Sequence, residues 1–254
     1  MKLTILGSGS WWAQAERMGP AFLIEHERFR ALVDCGEGCL RRLAGAGVEP
    51  SSLNAILLTH DHPDHIAGLL PLLVGLHVQK MMGHPAARTE AMAFIGPPRI
   101  DRLLALLPEL GDPGVISDGV PLLPRILTPP ETFDLGPFVV QAVPVKHKEH
   151  AMGFRFKADG KVIAFSGDSG PCDTLAEIAK NADVFVCEAG TSKGYPAHLT
   201  PEQAAQAAHD GRAKKLILTH IPGDADTADF QRRAKSAFDG EVVIGEDLMV
   251  VNLG

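Results

Sequence analysis

Residues 55–70 read AILLTHDHPDHIAGLL, with three histidines and two aspartates in the six positions 60–65 behind an apolar run. A polar loop in which histidines cluster by chance is the bland explanation, and a metal site is the sharp one. On an extended segment residues i and i+2 point the same way, so His60 and His62 can grip one ion together. Asp64 and His65 follow the turn of the chain and face a second ion. Imidazole with carboxylate suits zinc, and also manganese or iron.

Two ions need more ligands than these four, so further ones are expected downstream at strand ends. His147 follows the strand-like FVVQAVPV, Asp168 ends VIAFSGD, and His220 ends LILTH. The expected set is His60, His62 and His147 on one ion, with Asp64, His65 and His220 on the other. Asp168 bridges, because a carboxylate has two oxygens. Water between two ions about 3.5–4 Å apart becomes hydroxide near neutral pH and can attack a phosphorus atom whose oxygens the metals clamp. A lone histidine is more often an ordinary hydrogen-bonded residue. Here the six-residue motif and three separate strand ends would all have to be accidents. His26, His77, His84 and His209 are read as ordinary, and His150 is a rival to His147.

The rest of the chain agrees with an enzyme core. The 254 residues are enough for a sizeable core, at 45% hydrophobic and 22% charged. A net charge of −7 gives no global basic field for nucleic acid. The first apolar run is too short for a signal peptide, and no stretch approaches a membrane span, so a cytoplasmic location without membrane contact is expected. Cys35, Cys39, Cys172 and Cys187 form no CxxC pair and read mostly as small buried residues.

KLTILGSGS reads as a strand and glycine turn, AFLIEHERFRALVDCGEG as a hairpin, and CLRRLAGAG as a short helix. Helices are also expected at 66–80, 99–107 and DTLAEIAK, and strands at NAILLTH, GFRFKA, DVFVCEAG, KLILTHI and the C-terminal GEVVIGEDLMVVNL. Residues 108–130 read as irregular, a lid or an edge connection. Thr200, Pro201 and Gln203 form a capping box that opens a helix, and Gly211 can end it. AILLTH and LILTH are near-identical strand ends in opposite halves of the chain. They point to an α/β fold, a four-layer αββα sandwich, with ligands converging where strands end.

These segments resemble the metallo-β-lactamase superfamily, and within it the ribonuclease Z-like branch, essentially end to end. LVDCGEG, LLTHDHPDHIAGLLPLL, FSGDSGPCDTLAEIAKNADVFVCEAGT and AHLTPEQAAQAAHDGRAKKLILTHI are each similar to a family motif. HKEHAMGF matches a ligand histidine six residues before a glycine and an aromatic residue, which favours His147 over His150. The resemblance implies one metallo-β-lactamase-like domain over residues 1–254, made of two αββα halves, and possible homodimers. It also implies that Glu188 and His198 assist catalysis, His198 protonating the leaving oxygen while Glu188 orients its ring. Asp64 would take a proton from the attacking water. The alternative for Glu188 and His198 is a polar cluster capping a helix.

The branch carries a long arm between its third ligand histidine and the bridging aspartate and uses it to grip transfer RNA. Only a hairpin-sized stretch separates His147 from Asp168, which argues against full transfer-RNA binding. Leu199 stands where the family has a small hydroxyl residue. The expectation is a dinuclear metal-dependent phosphodiesterase acting on small phosphodiesters or exposed nucleic-acid ends, with two divalent ions, zinc first. The alternative is hydrolysis of a lactone, thioester or other ester by the same metals, with Tyr195 beside them. A metal-binding scaffold without catalysis is the third reading. Trp11 and Trp12 either stack on a substrate ring or pack between the halves.

Overall fold

The computed structural model describes residues 1–110 and 121–254. The first sheet is built from β1 (Lys2–Gly7), β2 (Ala21–His26), β3 (Phe29–Val33), β4 (Ala55–Leu57), β5 (Met92–Gly96) and β6 (Leu122–Ile126). The last strand of the chain, β14 (Val250–Asn252), returns to pair antiparallel with β1, Leu3 opposite Val251. The order is β14-β1-β2-β3-β4-β5-β6, antiparallel as far as β3 and parallel beyond it.

The second sheet repeats the plan. It holds β7 (Glu131–Leu135), β8 (Phe138–Pro144), β9 (Met152–Ala158), β10 (Lys161–Phe165), β11 (Val184–Glu188), β12 (Lys215–Thr219) and β13 (Glu241–Ile244). Its order is β13-β12-β11-β10-β9-β8-β7, antiparallel from β7 to β10 and parallel from β10 to β13. Parallel neighbours need crossovers, and helices supply them. The first sheet uses α1 (Cys39–Gly45), α2 (Pro63–Ile66), α3 (Leu69–Met81) and α4 (Ile100–Leu110), and the second uses α5 (Thr174–Ala179), α6 (Pro201–Asp210) and α7 (Thr227–Lys235).

Why the strands read as continuous apolar runs is visible in their alternation. Phe22 and Ile24 of β2 enter the core between the sheets, while Leu23 joins the core under α1 and α3. Ile163 and Phe165 of β10 likewise face the first sheet, and Val162 and Ala164 face the helices of the second. Both faces are covered, so no polar alternation is possible. The result is the four-layer αββα sandwich. Its central layer is aromatic, with Phe138, Phe154, Phe156 and Phe165 all buried.

The capping box of α6 forms as expected: Gln203 N donates to Thr200 Oγ1 at 3.4 Å and Thr200 N donates to Gln203 Oε1 at 2.9 Å. Gly211 caps this helix in ordinary helical geometry, and its lack of a side chain matters for space. A Cβ there would lie 2.4 Å from that of Ala179 on α5. Cys35, Cys39 and Cys187 are buried and Cys172 is half-buried, all as free thiols.

Other elements differ from the sequence reading. Residues 108–130 are not irregular throughout: α4 runs to Leu110 and Leu122–Ile126 is the edge strand β6. The lid possibility falls on residues 111–120, outside the described residues. β5, β7 and α7 had no counterpart in the sequence reading. For α7 the missed signal is Asp226, whose carboxylate accepts from Ala228 N at 3.0 Å and Asp229 N at 3.1 Å as an N-cap. Among the described residues no helix is long and apolar enough to cross a membrane.

Candidate active site

The strands β3, β4, β10, β11 and β12 all end on one side of the sandwich, and the chemistry-bearing residues leave from those ends. After β4 the chain runs through Thr59 to His60. His62 takes the extended N-cap position of α2, Pro63 is its first helical residue, and Asp64 and His65 ride on this single turn. The turn sits tightly on the DCGEG loop after β3. A Cβ on Gly36 would lie 2.4 Å from the Asp64 carbonyl oxygen, so only glycine allows the approach.

Every residue expected as a ligand arrives at one place. Ligand-type atoms of His60, His62, His147 and Asp168 lie within 4.8 Å of one another, and so do those of Asp64, His65, Asp168 and His220. Asp168 is the member common to both groups. Its Oδ1 is 3.3 Å from His65 Nε2, and its Oδ2 is 3.2 Å from His220 Nε2, 3.8 Å from His60 Nε2 and 3.9 Å from His147 Nε2. His62 Nδ1 and His147 Nε2 are 3.0 Å apart. Asp64 Oδ2 lies 3.3 Å from His220 Nε2 and 3.6 Å from His65 Nε2.

The rings are aimed by their other nitrogens. His147 Nδ1 donates to the Ala197 carbonyl at 2.9 Å, which leaves Nε2 as the inward lone pair. His60 Nδ1 pairs with Thr59 Oγ1 at 3.0 Å. His65 Nδ1 contacts Asp34 Oδ2 at 2.8 Å, and Asp34 also accepts from Thr59 N at 2.8 Å and from the Thr59 hydroxyl at 2.9 Å. Asp34 sits inside the quoted LVDCGEG motif without an assigned role there. Its part in orienting His65 is a tertiary fact, and its only local signal is an aspartate ending an apolar run; in the structure it is buried with a φ of 57°.

Whether a cation fits can be judged from the orphaned atoms. His60 Nε2 and His65 Nε2 are buried and have no hydrogen-bond partner, although both face the Asp168 carboxylate. Buried polar atoms are rarely left so, and a cation between lone pairs of nitrogen and carboxylate oxygen satisfies them together. The donor sets, three imidazoles with a carboxylate and two imidazoles with two carboxylates, match those of zinc, manganese or iron.

Burial and the neighbouring charges shift these groups strongly. Burial and the neighbouring His65 push His60 well below the usual histidine range. Burial works the same way on His220, but the Asp168 and Asp64 carboxylates outweigh it and push the ring up to about 10. Burial also opposes the charge on Asp168, yet His220 and His65 hold it well below the usual carboxylate range.

Glu188 ends β11 with 2% of its surface exposed. It accepts from Gly190 N at 2.7 Å, Ser169 N at 2.8 Å, Leu199 N at 3.2 Å and His198 Nδ1 at 3.0 Å. This is not a helix cap, since α6 is capped by Thr200 and Gln203. With Nδ1 given to the carboxylate, His198 presents Nε2, and its ring stacks on His220 at 5.2 Å between centroids. Burial lowers the tendency of His198 to hold a proton, but the Glu188 hydrogen bond and charge raise it above the usual value overall. Leu199, the departure noted in sequence, is buried and contributes its backbone N–H to Glu188. Tyr195 is 57% exposed and stacks on His198 at 6.0 Å between centroids. His150 is exposed beside Glu149 and lies outside both groups of ligand-type atoms, whereas His147 lies inside one.

Residues 30–221 match the family described as the beta-lactamase superfamily domain. The chain belongs to this superfamily. It is ribonuclease Z-like and a metal-dependent hydrolase. The ribonuclease Z of Mycobacterium bovis (strain BCG / Pasteur 1173P2) is 30% identical over 274 aligned positions, covering 98% of this chain and 96% of that protein. Among solved superfamily structures, the metallo-β-lactamase fold protein YhfI from Bacillus subtilis superposes with a TM-score of 0.87 at 23% identity, covering 98% of each chain. The short form of human tRNase Z superposes with a TM-score of 0.79 at 25% identity over 100% of both chains.

Proposed function

We propose that this hydrolase is a phosphodiesterase with two divalent cations, zinc foremost. His60, His62, His147 and Asp168 would hold one cation, and Asp64, His65, His220 and Asp168 the other. When bound, such a pair supplies Lewis acidity toward a phosphoryl oxygen and toward the attacking water. The chain's own groups handle the protons. Asp64, half-buried at the rim, is placed to accept the proton of the attacking water. His198 is placed to donate from Nε2 to the departing alkoxide while Glu188 keeps its ring oriented.

The observation that carries this reading is the Glu188–His198 pair beside the second ligand group. Hydrolysis of a phosphodiester needs a proton for a poor leaving group, and this pair is built to hold one. The ester and lactone alternative would look for Tyr195 at the metals, whereas Tyr195 is 57% exposed and its ring contact is with His198. Ribonuclease Z relatives supply the substrate class, an RNA phosphodiester. Between His147 and Asp168 lies only the β9–β10 hairpin, which supports short substrates or exposed ends over transfer RNA gripped by an arm.

The test is hydrolysis of a ribodinucleoside 3′,5′-phosphate such as uridylyl-adenosine, whose leaving group is an alkoxide, by zinc- or manganese-loaded protein, with metal content measured alongside. The wild type should turn over, and His198→Ala should keep its metal while slowing by about 10²–10⁴-fold. Two bound metals with no hydrolysis would sink the phosphodiesterase reading, and an unchanged rate in the variant would remove His198 from it.

A further inference from the structure

Two tryptophans stand in water beside this site. Trp11 is 66% exposed and Trp12 49%, with ring centroids 5.5 Å apart and planes tilted by 30°. Their loop is clipped to the segment that follows His220. Ile221 N donates to the Ser8 carbonyl at 3.2 Å, Gln14 Nε2 donates to the Ile221 carbonyl at 2.8 Å, and Trp12 lies over Gly223. The base of the loop is tied down by Asp247, which accepts from Ser8 N and Met18 N, both at 2.9 Å. The pair is therefore held at a set distance from the ligand cluster.

A cavity of about 370 Å³ lies against Trp11, with Arg17 and Glu37 on its walls and Asp64 the candidate ligand among its lining residues. That volume falls at the small end of the about 300–1,000 Å³ usual for small-ligand sites. Its charge pattern narrows the occupant. Among the described lining residues the cation is Arg17, and its guanidinium is turned inward to Ser8 Oγ and the Gly245 carbonyl. Arg17 is engaged and Glu37 adds a negative charge, so among the described lining residues no free cation awaits a second phosphate, whereas a neutral ring fits. Indole faces gain most from a flat partner.

We infer that Trp11, backed by Trp12, is the stacking subsite for one nucleobase of the phosphodiester, so that the enzyme reads a single base next to the cleaved phosphate. This rests on the phosphodiesterase reading above. It gives the acidic chain a way to select a nucleotide ester without a basic groove.

The tryptophans are the only two in the chain, so intrinsic fluorescence reports on the subsite directly. Metal-loaded wild type should show saturable quenching by adenosine 5′-monophosphate and none by ribose 5-phosphate. It should also prefer thymidine 5′-(p-nitrophenyl phosphate) over methyl p-nitrophenyl phosphate, which share a leaving group. In the double variant Trp11→Leu, Trp12→Leu that preference should shrink by about 5- to 150-fold, mostly through KM, with Trp11→Phe retaining much of it. Equal quenching by both ligands, no preference in the wild type, or equal losses on both esters would overturn the subsite. A blue shift of emission with rising protein concentration and no ligand would overturn it too, showing that a second copy covers the pair. Quenching by the nucleotide in a protein that cleaves neither ester would support the subsite and sink the phosphodiesterase reading alone.

Discussion

β4 and β12 end in almost the same residues, AILLTH and LILTH, yet their histidines live in opposite electrostatic surroundings. At the end of β4 the Thr59 hydroxyl reaches Asp34 and the His60 Nδ1, and His60 is pressed toward its neutral form. At the end of β12 the Thr219 hydroxyl makes one long contact, 3.4 Å to the Cys187 carbonyl. His220 takes a φ of 57°, places Nε2 between Asp64 and Asp168, and is pushed up to about 10. A strand-end motif therefore delivers a histidine to the site but does not set its surroundings: burial dominates at His60, whereas the Asp168 and Asp64 carboxylates dominate at His220.

The sharpest way to break this contrast is to remove the carboxylate both ends share. Asp168→Ala should lose metal and activity together, seen as metal per protein and rate falling to background, as chelation of the wild type should also produce. Retained binding of two metals would remove Asp168 as the shared group. The proton pair comes next. Glu188→Gln should keep its metal yet lose about 10²-fold or more in rate, because the His198 ring loses its charged partner. A wild-type rate would leave Glu188 a purely structural carboxylate.

Smaller effects sharpen the comparison itself. Asp34→Asn should weaken metal affinity by about 10–100-fold, measured by competition with a chromogenic chelator, since His65 loses the carboxylate that aims it. An unchanged affinity would mean that packing alone aims the ring. Thr59→Val should cost about 1–3 kcal/mol in denaturant unfolding of the metal-free protein, because it strips a hydrogen bond from buried Asp34 and His60. Thr219→Val, the same change on the matching strand end, should cost less than about 1 kcal/mol. Equal costs would erase the distinction drawn between the two ends.

The candidate ligands were legible in sequence because chain order determines how a short motif is presented. A strand followed by a proline-started turn throws His60, His62, Asp64 and His65 toward one place whatever the rest of the molecule does. His147, Asp168 and His220 were legible for a related reason, each following a buried apolar run. Glu188 and His198 needed a family resemblance, since nothing local marks one glutamate after a strand as different from another. The edge strand β6 and helix α7 escaped because Leu122–Ile126 is interrupted by proline and α7 is short and strongly charged, its buried face reduced to Phe230 and Ala234.

By itself, then, the sequence determined the strand-and-helix runs and which side chains leave their ends, because both follow from periodicity and adjacency along the chain, while the layered αββα arrangement came with the family resemblance. Only the tertiary structure decided which ring nitrogen faces inward, which carboxylate each histidine meets, and that Trp11 shares a cavity with Asp64. His220 meets Asp64 across 156 residues of intervening chain. Such distances are set by how two sheets pack across an aromatic core, and no local segment contains that information.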